Sequence, residues 1–170
     1  VPLLPPTATA RDGFARVGHM PGQERELAIL FADIRAFTRL SEHKLPYDVV
    51  FLLNRYFGAM GSAVEQSGGR VDKFIGDGVM ALFGVDAAPD EGCRQALAAA
   101  RAMALHLDEL NQSLAHDLAE PLRIGIGVHV GPAIVGEMGY GATVGVTAIG
   151  DAVNTASRLE GMTKEFGAQF

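Results

Sequence analysis

Two strand-like runs flank the tripeptide Gly76-Asp77-Gly78 and constrain the fold more than any other feature of this sequence. The run "GRVDKFI" precedes the tripeptide and "VMALFG" follows it. A Gly/Asp dipeptide between two such runs is a strong short-range signal for a β-hairpin. We therefore predict an antiparallel pair of strands with the carboxylate of Asp77 at its tip.

The segments around the hairpin predict the elements that pack against it. Residues 27–34, "LAILFADI", form a continuous apolar run that is typical of a buried central strand, with Asp33 near its end. Pro46 opens an amphipathic pattern that predicts a helix to about residue 67. An Ala- and Leu-rich pattern with early acids predicts a second helix from residue 90 to about residue 118.

The last third of the chain predicts further strands and one more helix. Residues 122–130 alternate between apolar and small or polar side chains, as a strand does, and a short strand-like run follows Gly131-Pro132. We expect turn and bulge geometry in the glycine-rich residues 136–145, a strand near residues 146–150 and a helix over about 151–162. The order predicts an α+β fold, a ferredoxin-like split βαβ sandwich with helices on one face of a mostly antiparallel sheet.

Length and charge limit the classes of protein that this chain can represent. Its 170 residues suit one domain, and a net charge of −6 argues against a nucleic-acid partner, which would need excess Lys and Arg. A single cysteine fits a reducing compartment, so we expect a cytoplasmic domain. We interpret residues 1–23 as a linker or a remnant of an upstream region, and residues 24–170 as one domain cut short at its C-terminal end.

Asp33 and Asp77 are the first candidates for a functional site. In a split βαβ sheet the hairpin pairs beside the first strand, so the two carboxylates would meet in space. Hard oxygen ligands from one or two carboxylates are what Mg²⁺ needs, with the remaining positions left for water and phosphates. Taken singly, each aspartate also has a structural explanation, as a strand-end cap or as a turn former.

Four motifs in order carry a resemblance to a known family. The segments "FADIRAFTRLSE", "DKFIGDGVMALFG", "RIGIGVHVGPAIVGEMG" and "TAIGDAVNTASRLE" resemble the successive signatures of class III nucleotide cyclase catalytic domains, over about residues 24–170. The resemblance implies a homodimer or pseudo-dimer with active sites at the subunit interface. It also implies two Mg²⁺ or Mn²⁺ ions per site, held by Asp33, Asp77 and the backbone carbonyl of Ile34.

The same resemblance implies the residues that bind the nucleotide. Lys73 would read the base, Asn154 would orient the ribose and Arg158 would stabilise the transition state. Asn154 and Arg158 stand at i and i+4 on a predicted helix, so they share one face of it. Where many adenylyl cyclases carry an aspartate that accepts from the adenine amino group, this chain has Thr147, a swap that resembles a bacterial subgroup.

These residues together predict an adenylyl cyclase, which converts ATP to 3',5'-cyclic AMP and pyrophosphate. An ammonium at Lys73 can donate to the bare ring nitrogen of adenine, whereas guanine presents an N–H there. A guanylyl cyclase is the nearest alternative, and a catalytically silent nucleotide-binding dimerisation module is a second. A diguanylate-type cyclase is disfavoured because its Gly-Gly-acid-acid-Phe signature is absent from the sequence.

The spacing within the hairpin bears on assembly. A regular strand would separate Lys73 from Asp77 by about 13 Å, so one nucleotide would reach both of them only awkwardly. We therefore expect a symmetric homodimer in which one subunit contributes the two aspartates and the other contributes Lys73, Thr147, Asn154 and Arg158. A regulatory or membrane module upstream in the full-length protein is compatible with this arrangement.

Overall fold

The computed structural model describes residues 21–170, and these fold as a five-stranded sheet with helices on both of its faces. The elements, in chain order, are β1 (Gln23–Ile34), α1 (Phe37–Glu42), α2 (Pro46–Gln66), β2 (Arg70–Ile75), β3 (Gly78–Phe83), α3 (Pro89–Ser113), β4 (Ile124–Met138), a 3₁₀ turn (Gly141–Thr143), β5 (Gly145–Ile149) and α4 (Asp151–Glu165). No helix within residues 21–170 combines the length and the apolar character needed to cross a membrane.

The sheet has the strand order β2-β3-β1-β4-β5, and every neighbouring pair is antiparallel. β1 is the central strand, as its apolar run predicts. It has a neighbouring strand on each side and helices on both faces of the sheet, so its apolar run is buried. Ile75 pairs with Gly78, so Gly76 and Asp77 form a two-residue turn, in which Gly76 takes a positive φ of 59°. The predicted hairpin, the predicted α+β class and the predicted antiparallel sheet are confirmed.

Alternate residues of β1 divide between two cores. Ala28, Leu30 and Ala32 pack with α2 and α3 on one face of the sheet. Leu27 and Ile29 pack with α4 on the other face. The expectation that all helices cover one face is therefore wrong for the last helix.

A glycine explains how closely α4 approaches the sheet. A Cβ atom added at Gly127 of β4 would lie 2.3 Å from the backbone nitrogen of Glu160 in α4. Only a residue without a side chain leaves room for the helix at this point. The contact fixes the height of α4 above the sheet and brings Glu160 towards β1.

Two strands are longer than the sequence predicts. β1 begins at Gln23, inside the predicted linker, because its first four residues pair with residues 132–135 of β4. β4 runs unbroken through Gly131 and Pro132, where we expected a break. At Pro132, β4 pairs with β1 alone, because its pairing with β5 begins only at Ile134. The missing N–H of Pro132 therefore does not interrupt hydrogen bonds to two neighbouring strands. Residues 21 and 22 of the predicted linker precede β1 outside any helix or strand, and residues 1–20 lie outside the described residues.

Candidate active site

The structure brings Asp33 and Asp77 together at one end of the sheet. Asp33 is the penultimate residue of β1, and Asp77 lies in the turn between β2 and β3. The backbone N–H of Ile34 donates a 3.0 Å hydrogen bond to the Asp77 Oδ2 atom. This bond ties the hairpin turn to the end of β1, and it fixes the Asp77 carboxylate beside Asp33.

Both aspartates are partly withdrawn from water. The Asp33 side chain is 23% exposed, and its buried Oδ1 atom has no hydrogen-bond partner among residues 21–170. Burial raises the pKa of Asp77, and the nearby Asp33 carboxylate also raises it, while the Ile34 N–H acts in the opposite direction. Two close carboxylates, one with an orphaned oxygen, form a site that a cation would stabilise.

The chain provides only part of a metal coordination shell. No group of three or more His, Cys, Asp or Glu side chains suited to holding a metal ion occurs within residues 21–170. Mg²⁺ is commonly held by one or two carboxylates plus waters and substrate phosphates. The donor set of Asp33 and Asp77 fits that pattern, whereas a fully protein-bound structural ion would need more ligands.

A third carboxyl group, Glu160, lies beside Asp33. Glu160 is only 8% exposed on the buried side of α4, and its Oε1 atom has no hydrogen-bond partner in the described part of the chain. The group lies close enough to Asp33 for a hydrogen bond when one of the two holds a proton. Burial, followed by the Asp33 contact, raises the pKa of Glu160 to about 7.

Two cations act on these acids: Lys164 and Arg35 both lower the pKa of Glu160, and Lys164 also lowers the pKa of Asp77. The Lys164 Nζ atom lies 3.7 Å from the Asp33 Oδ2 atom and is half-exposed. Lys164 stands four residues after Glu160 on α4, so the two side chains reach the end of β1 from one helix face. The last turns of α4 thus place a carboxyl group, Glu160, and a cation, Lys164, beside Asp33.

Tyr56 lies near the aspartates, on the face of the sheet opposite to α4. Its side chain, on α2, is fully buried, and its hydroxyl has no hydrogen-bond partner among the residues that the structure describes. Burial raises the pKa of this hydroxyl, and the negative charges of Asp33 and Asp77 raise it further. Tyr56 therefore remains protonated, as a neutral donor near the carboxylates.

The predicted nucleotide-binding residues lie apart from the aspartates. Lys73 is exposed on β2, and Asn154 and Arg158 are exposed on α4, where the Arg158 Nε atom lies 3.4 Å from the Asn154 carbonyl oxygen. The Thr147 hydroxyl on β5 donates to the Asp72 Oδ2 atom at 2.6 Å. In the described part of the chain, no hydrogen bond or ion pair joins these four residues to Asp33 or Asp77.

Sequence reasoning missed Glu160 and Lys164, although the sequence contained a signal for the first. The buried residues of α4 are Ala152, Ala156, Glu160 and Thr163, at helical spacing. A carboxylate within such an apolar stripe indicates a polar partner inside the fold. Ile34 also contributes differently from expectation, because its N–H binds Asp77, while the role of its carbonyl stays a prediction.

The raised pKa of Glu160 predicts how the stability of the metal-free domain depends on pH. Its folded pKa of about 7 exceeds the reference value of 4.5, so the folded state binds more protons between these two pH values. The free energy of unfolding should therefore fall by up to about 3 kcal/mol as pH rises from about 4.5 to about 7. Urea denaturation in the presence of a chelator, repeated across this range, measures the effect.

Two variants isolate the contribution of Glu160. Glu160→Gln should flatten the fall between pH 4.5 and pH 7, because the amide does not titrate. Glu109→Gln, at an exposed position of α3, is the matched control and should keep the wild-type slope. An unchanged slope in Glu160→Gln would show that this group does not titrate near neutral pH.

Comparison with known proteins identifies relatives of this chain. Residues 20–166 match the family described as the adenylate and guanylate cyclase catalytic domain. An adenylate cyclase of Anabaena cylindrica is 39% identical over 163 residues, which are 93% of this chain and 31% of that protein. The chain thus spans about a third of the length of this relative.

Solved structures show the same architecture. The guanylyl cyclase Cya2 aligns with a TM-score of 0.77 at 36% identity, over 84% of this chain and 72% of its own. The adenylyl cyclase CyaB from P. aeruginosa aligns with a TM-score of 0.73 at 34% identity, over 84% of this chain and 74% of its own. Since the family match covers most of the sequence, and relatives above 30% identity share the fold, this chain belongs to the adenylate and guanylate cyclase catalytic domain family.

Proposed function

We propose that residues 24–170 form the catalytic domain of an adenylate cyclase, which converts ATP to 3',5'-cyclic AMP and pyrophosphate. The observation that carries the proposal is the meeting of Asp33 and Asp77 at the end of β1, in a chain of this family. The name of the Anabaena cylindrica relative supports adenylate cyclase activity. A guanylate cyclase is the second candidate, which the likeness to Cya2 favours.

Asp33, Asp77 and the Ile34 carbonyl would hold two Mg²⁺ or Mn²⁺ ions. When bound, such ions lower the pKa of an attacking hydroxyl and neutralise charge on a triphosphate. The protein's own part is to keep the carboxylates in place. The Ile34 N–H fixes Asp77, and the buried Tyr56 lies close enough for the charges of both aspartates to act on its hydroxyl.

The reaction makes one bond to phosphorus and breaks another. The ribose 3'-oxygen of ATP attacks the α-phosphorus, the bond from that phosphorus to the bridging oxygen breaks, pyrophosphate leaves, and the 3'-hydroxyl proton passes to solvent. Negative charge grows on the phosphate oxygens in the transition state. Arg158 would neutralise this charge, and Asn154 would hold the ribose so that the 3'-oxygen lies in line with the leaving group.

Base selection would rest on Lys73 and Thr147. The Lys73 ammonium donates to the N1 atom of adenine, which carries no hydrogen, while the N1–H of guanine would oppose it. The Thr147 oxygen can accept from the adenine amino group. Both contacts favour ATP. With a 6-oxo purine, the Lys73 donor would face the N1–H donor, and the Thr147 acceptor would face the 6-oxo acceptor.

Two copies of the chain would build each site. Lys73, Asn154 and Arg158 are exposed and have no contact with the aspartates of their own chain, which supports a role towards a partner. Large apolar side chains beside them are also exposed, including Ile75 at 58% and Ile149 at 52%. Such an apolar surface around polar side chains is typical of an interaction site. We therefore propose a symmetric homodimer with two composite sites.

Product analysis tests the proposed function. The purified domain is incubated with ATP or GTP and with Mg²⁺ or Mn²⁺, and the products are identified by mass spectrometry. We expect 3',5'-cyclic AMP from ATP, and a lower kcat/KM for GTP. A domain that forms cyclic GMP faster than cyclic AMP would instead establish the guanylate cyclase.

Lys73→Glu should lower the use of ATP far more than the use of GTP. A carboxylate would meet the lone pair of adenine N1 but could accept from the N1–H of guanine, so kcat/KM for ATP should fall by roughly 10- to 100-fold while that for GTP changes little. Arg70→Glu is the matched control, since it makes the same charge reversal at an exposed position of the same strand. Equal losses for ATP and GTP in Lys73→Glu would exclude base reading by Lys73.

A further inference from the structure

The hydrogen bond between Thr147 and Asp72 joins the two edges of the sheet. Thr147 lies on β5 and Asp72 on β2, which are the outermost strands, and their oxygens are 2.6 Å apart in a half-buried contact. The sheet therefore curls until its edges touch. This contact lies next in sequence to Lys73, the other residue that we assign to base reading.

A β-bulge in β2 gives Asp72 its orientation. Val71 pairs with Ala81 of β3, and Lys73 pairs with the next residue, Met80, so Asp72 is an extra residue without a partner in the ladder. Bulges occur at sheet edges and next to active sites, where they redirect a side chain. The irregularity in β2 thus falls on the residue that meets Thr147.

The side chains around the bulge show the redirection. Phe74 stacks on Phe57 of α2, with ring centroids 4.2 Å apart, and Val71 also packs into the core beneath α2. In a regular strand these two residues, three apart, would point to opposite faces. Because both face α2, the bulge leaves Asp72 and Lys73 together on the other face of β2.

The chemistry of the two groups fixes the direction of the bond. An ionised carboxylate only accepts hydrogen bonds, and a threonine hydroxyl has a single proton to donate. With this proton directed to Asp72, the Thr147 oxygen presents only lone pairs to any third group. A threonine without this partner could rotate and act as a donor or as an acceptor.

We propose that Asp72 is a positioning residue that determines base specificity, because it takes the Thr147 hydroxyl proton and so makes Thr147 an obligate acceptor. This inference rests on the proposed function. The obligate acceptor matches the 6-amino group of adenine and opposes the 6-oxo group of guanine or hypoxanthine. Without Asp72, the Thr147 hydroxyl could donate a hydrogen bond to the base or accept one from it. With Asp72, it can only accept from the base, as an aspartate at the position of Thr147 would.

Three nucleotides separate this effect from a general loss of structure. ATP carries a 6-amino group, ITP carries a 6-oxo group without the 2-amino group of GTP, and purine riboside triphosphate carries no substituent at C6. In Asp72→Ala the Thr147 hydroxyl is free to donate, so we expect the ratio of kcat/KM for ATP over ITP to fall about tenfold. Use of purine riboside triphosphate should stay near the wild-type value, whereas a merely structural defect would lower all three.

Second variants keep the test decisive. Asp72→Asn preserves the shape of the side chain but can donate to Thr147, and it should lower the same ratio even if Asp72→Ala folds poorly. In a Thr147→Val background, adding Asp72→Ala should leave the ratio unchanged, because Asp72 acts only through the hydroxyl. Thr143→Val, which removes an exposed hydroxyl from the 3₁₀ turn before β5, is the control for Thr147→Val.

The outcomes separate this inference from the proposed function. Wild-type production of cyclic AMP with an unchanged ratio in both Asp72 variants would overturn the inference and leave the proposed function standing. A further fall of the ratio when Asp72→Ala is added to Thr147→Val would also overturn it, since Asp72 would then act by another route. A wild-type domain that makes no cyclic nucleotide would overturn both.

Discussion

Replacing Asp77 or Asp33 by alanine is expected to lower kcat/KM for ATP by more than about a hundredfold. Loss of even an outer-shell partner of a metal ligand typically costs 10- to 100-fold in activity, and these two carboxylates would be the ligands themselves. Waters replace anionic oxygens poorly around a divalent cation. Cyclic AMP production by the purified variants, over a range of Mg²⁺ and Mn²⁺ concentrations, measures the loss.

The domain should stay folded in both variants. Three carboxyl groups lie close together at one end of the sheet, those of Asp33, Asp77 and Glu160. Removal of one of them lowers the repulsion among these charges, and this gain offsets the contacts that are lost. Asp86→Ala, in an exposed position after β3, is the control and should keep wild-type turnover. Substantial cyclic AMP production by either site variant would contradict the assignment of the aspartates as metal ligands.

Arg158→Ala should lower kcat for ATP by about 10³-fold or more, although Arg158 is exposed and, within the described residues, forms no hydrogen bond or ion pair with Asp33 or Asp77. An arginine that neutralises charge in a phosphoryl-transfer transition state contributes about 10³ to 10⁵ to the rate. Because this charge grows only during the reaction, KM should change less than kcat. Steady-state kinetics with ATP and Mn²⁺ give both constants.

A second exposed arginine controls for the loss of surface charge. Within residues 21–170, Arg94 of α3 makes ion pairs only with Asp90 and Glu91 of its own helix, and surface pairs of this kind contribute little to stability. Arg94→Ala should therefore be fully active. A kcat in Arg158→Ala within a few-fold of the wild type would make Arg158 an ordinary solvated side chain.

The sequence predicts the aspartate pair because local chemistry determines both halves of it. Gly76 supplies the positive φ that the turn needs, and the apolar run before Asp33 requires a central strand. The helical connection between them, α1 and α2, lets the strand and the hairpin pair in one antiparallel sheet. The approach of Asp33 to Asp77 follows from this topology without knowledge of any side-chain contact.

Other parts of the site depend on contacts that periodicity does not encode. The apolar stripe of α4 predicts a buried face but not the side of the sheet that receives it, and the close approach at Gly127 decides that. The bulge at Asp72 exists only relative to the register of β3, so the pattern of β2 alone does not reveal it. Glu160 is different, because an acid in an apolar stripe was visible in the sequence.

The composite site is the central claim, and mixing two inactive variants tests it most directly. Asp77→Ala and Arg158→Ala are combined, heterodimer formation is confirmed by native mass spectrometry, and cyclic AMP production is measured. In a heterodimer one site collects both lesions and the other collects neither, so random mixing should restore about a quarter of wild-type activity. Confirmed heterodimers that remain inactive would place all the catalytic residues within one subunit and contradict the account.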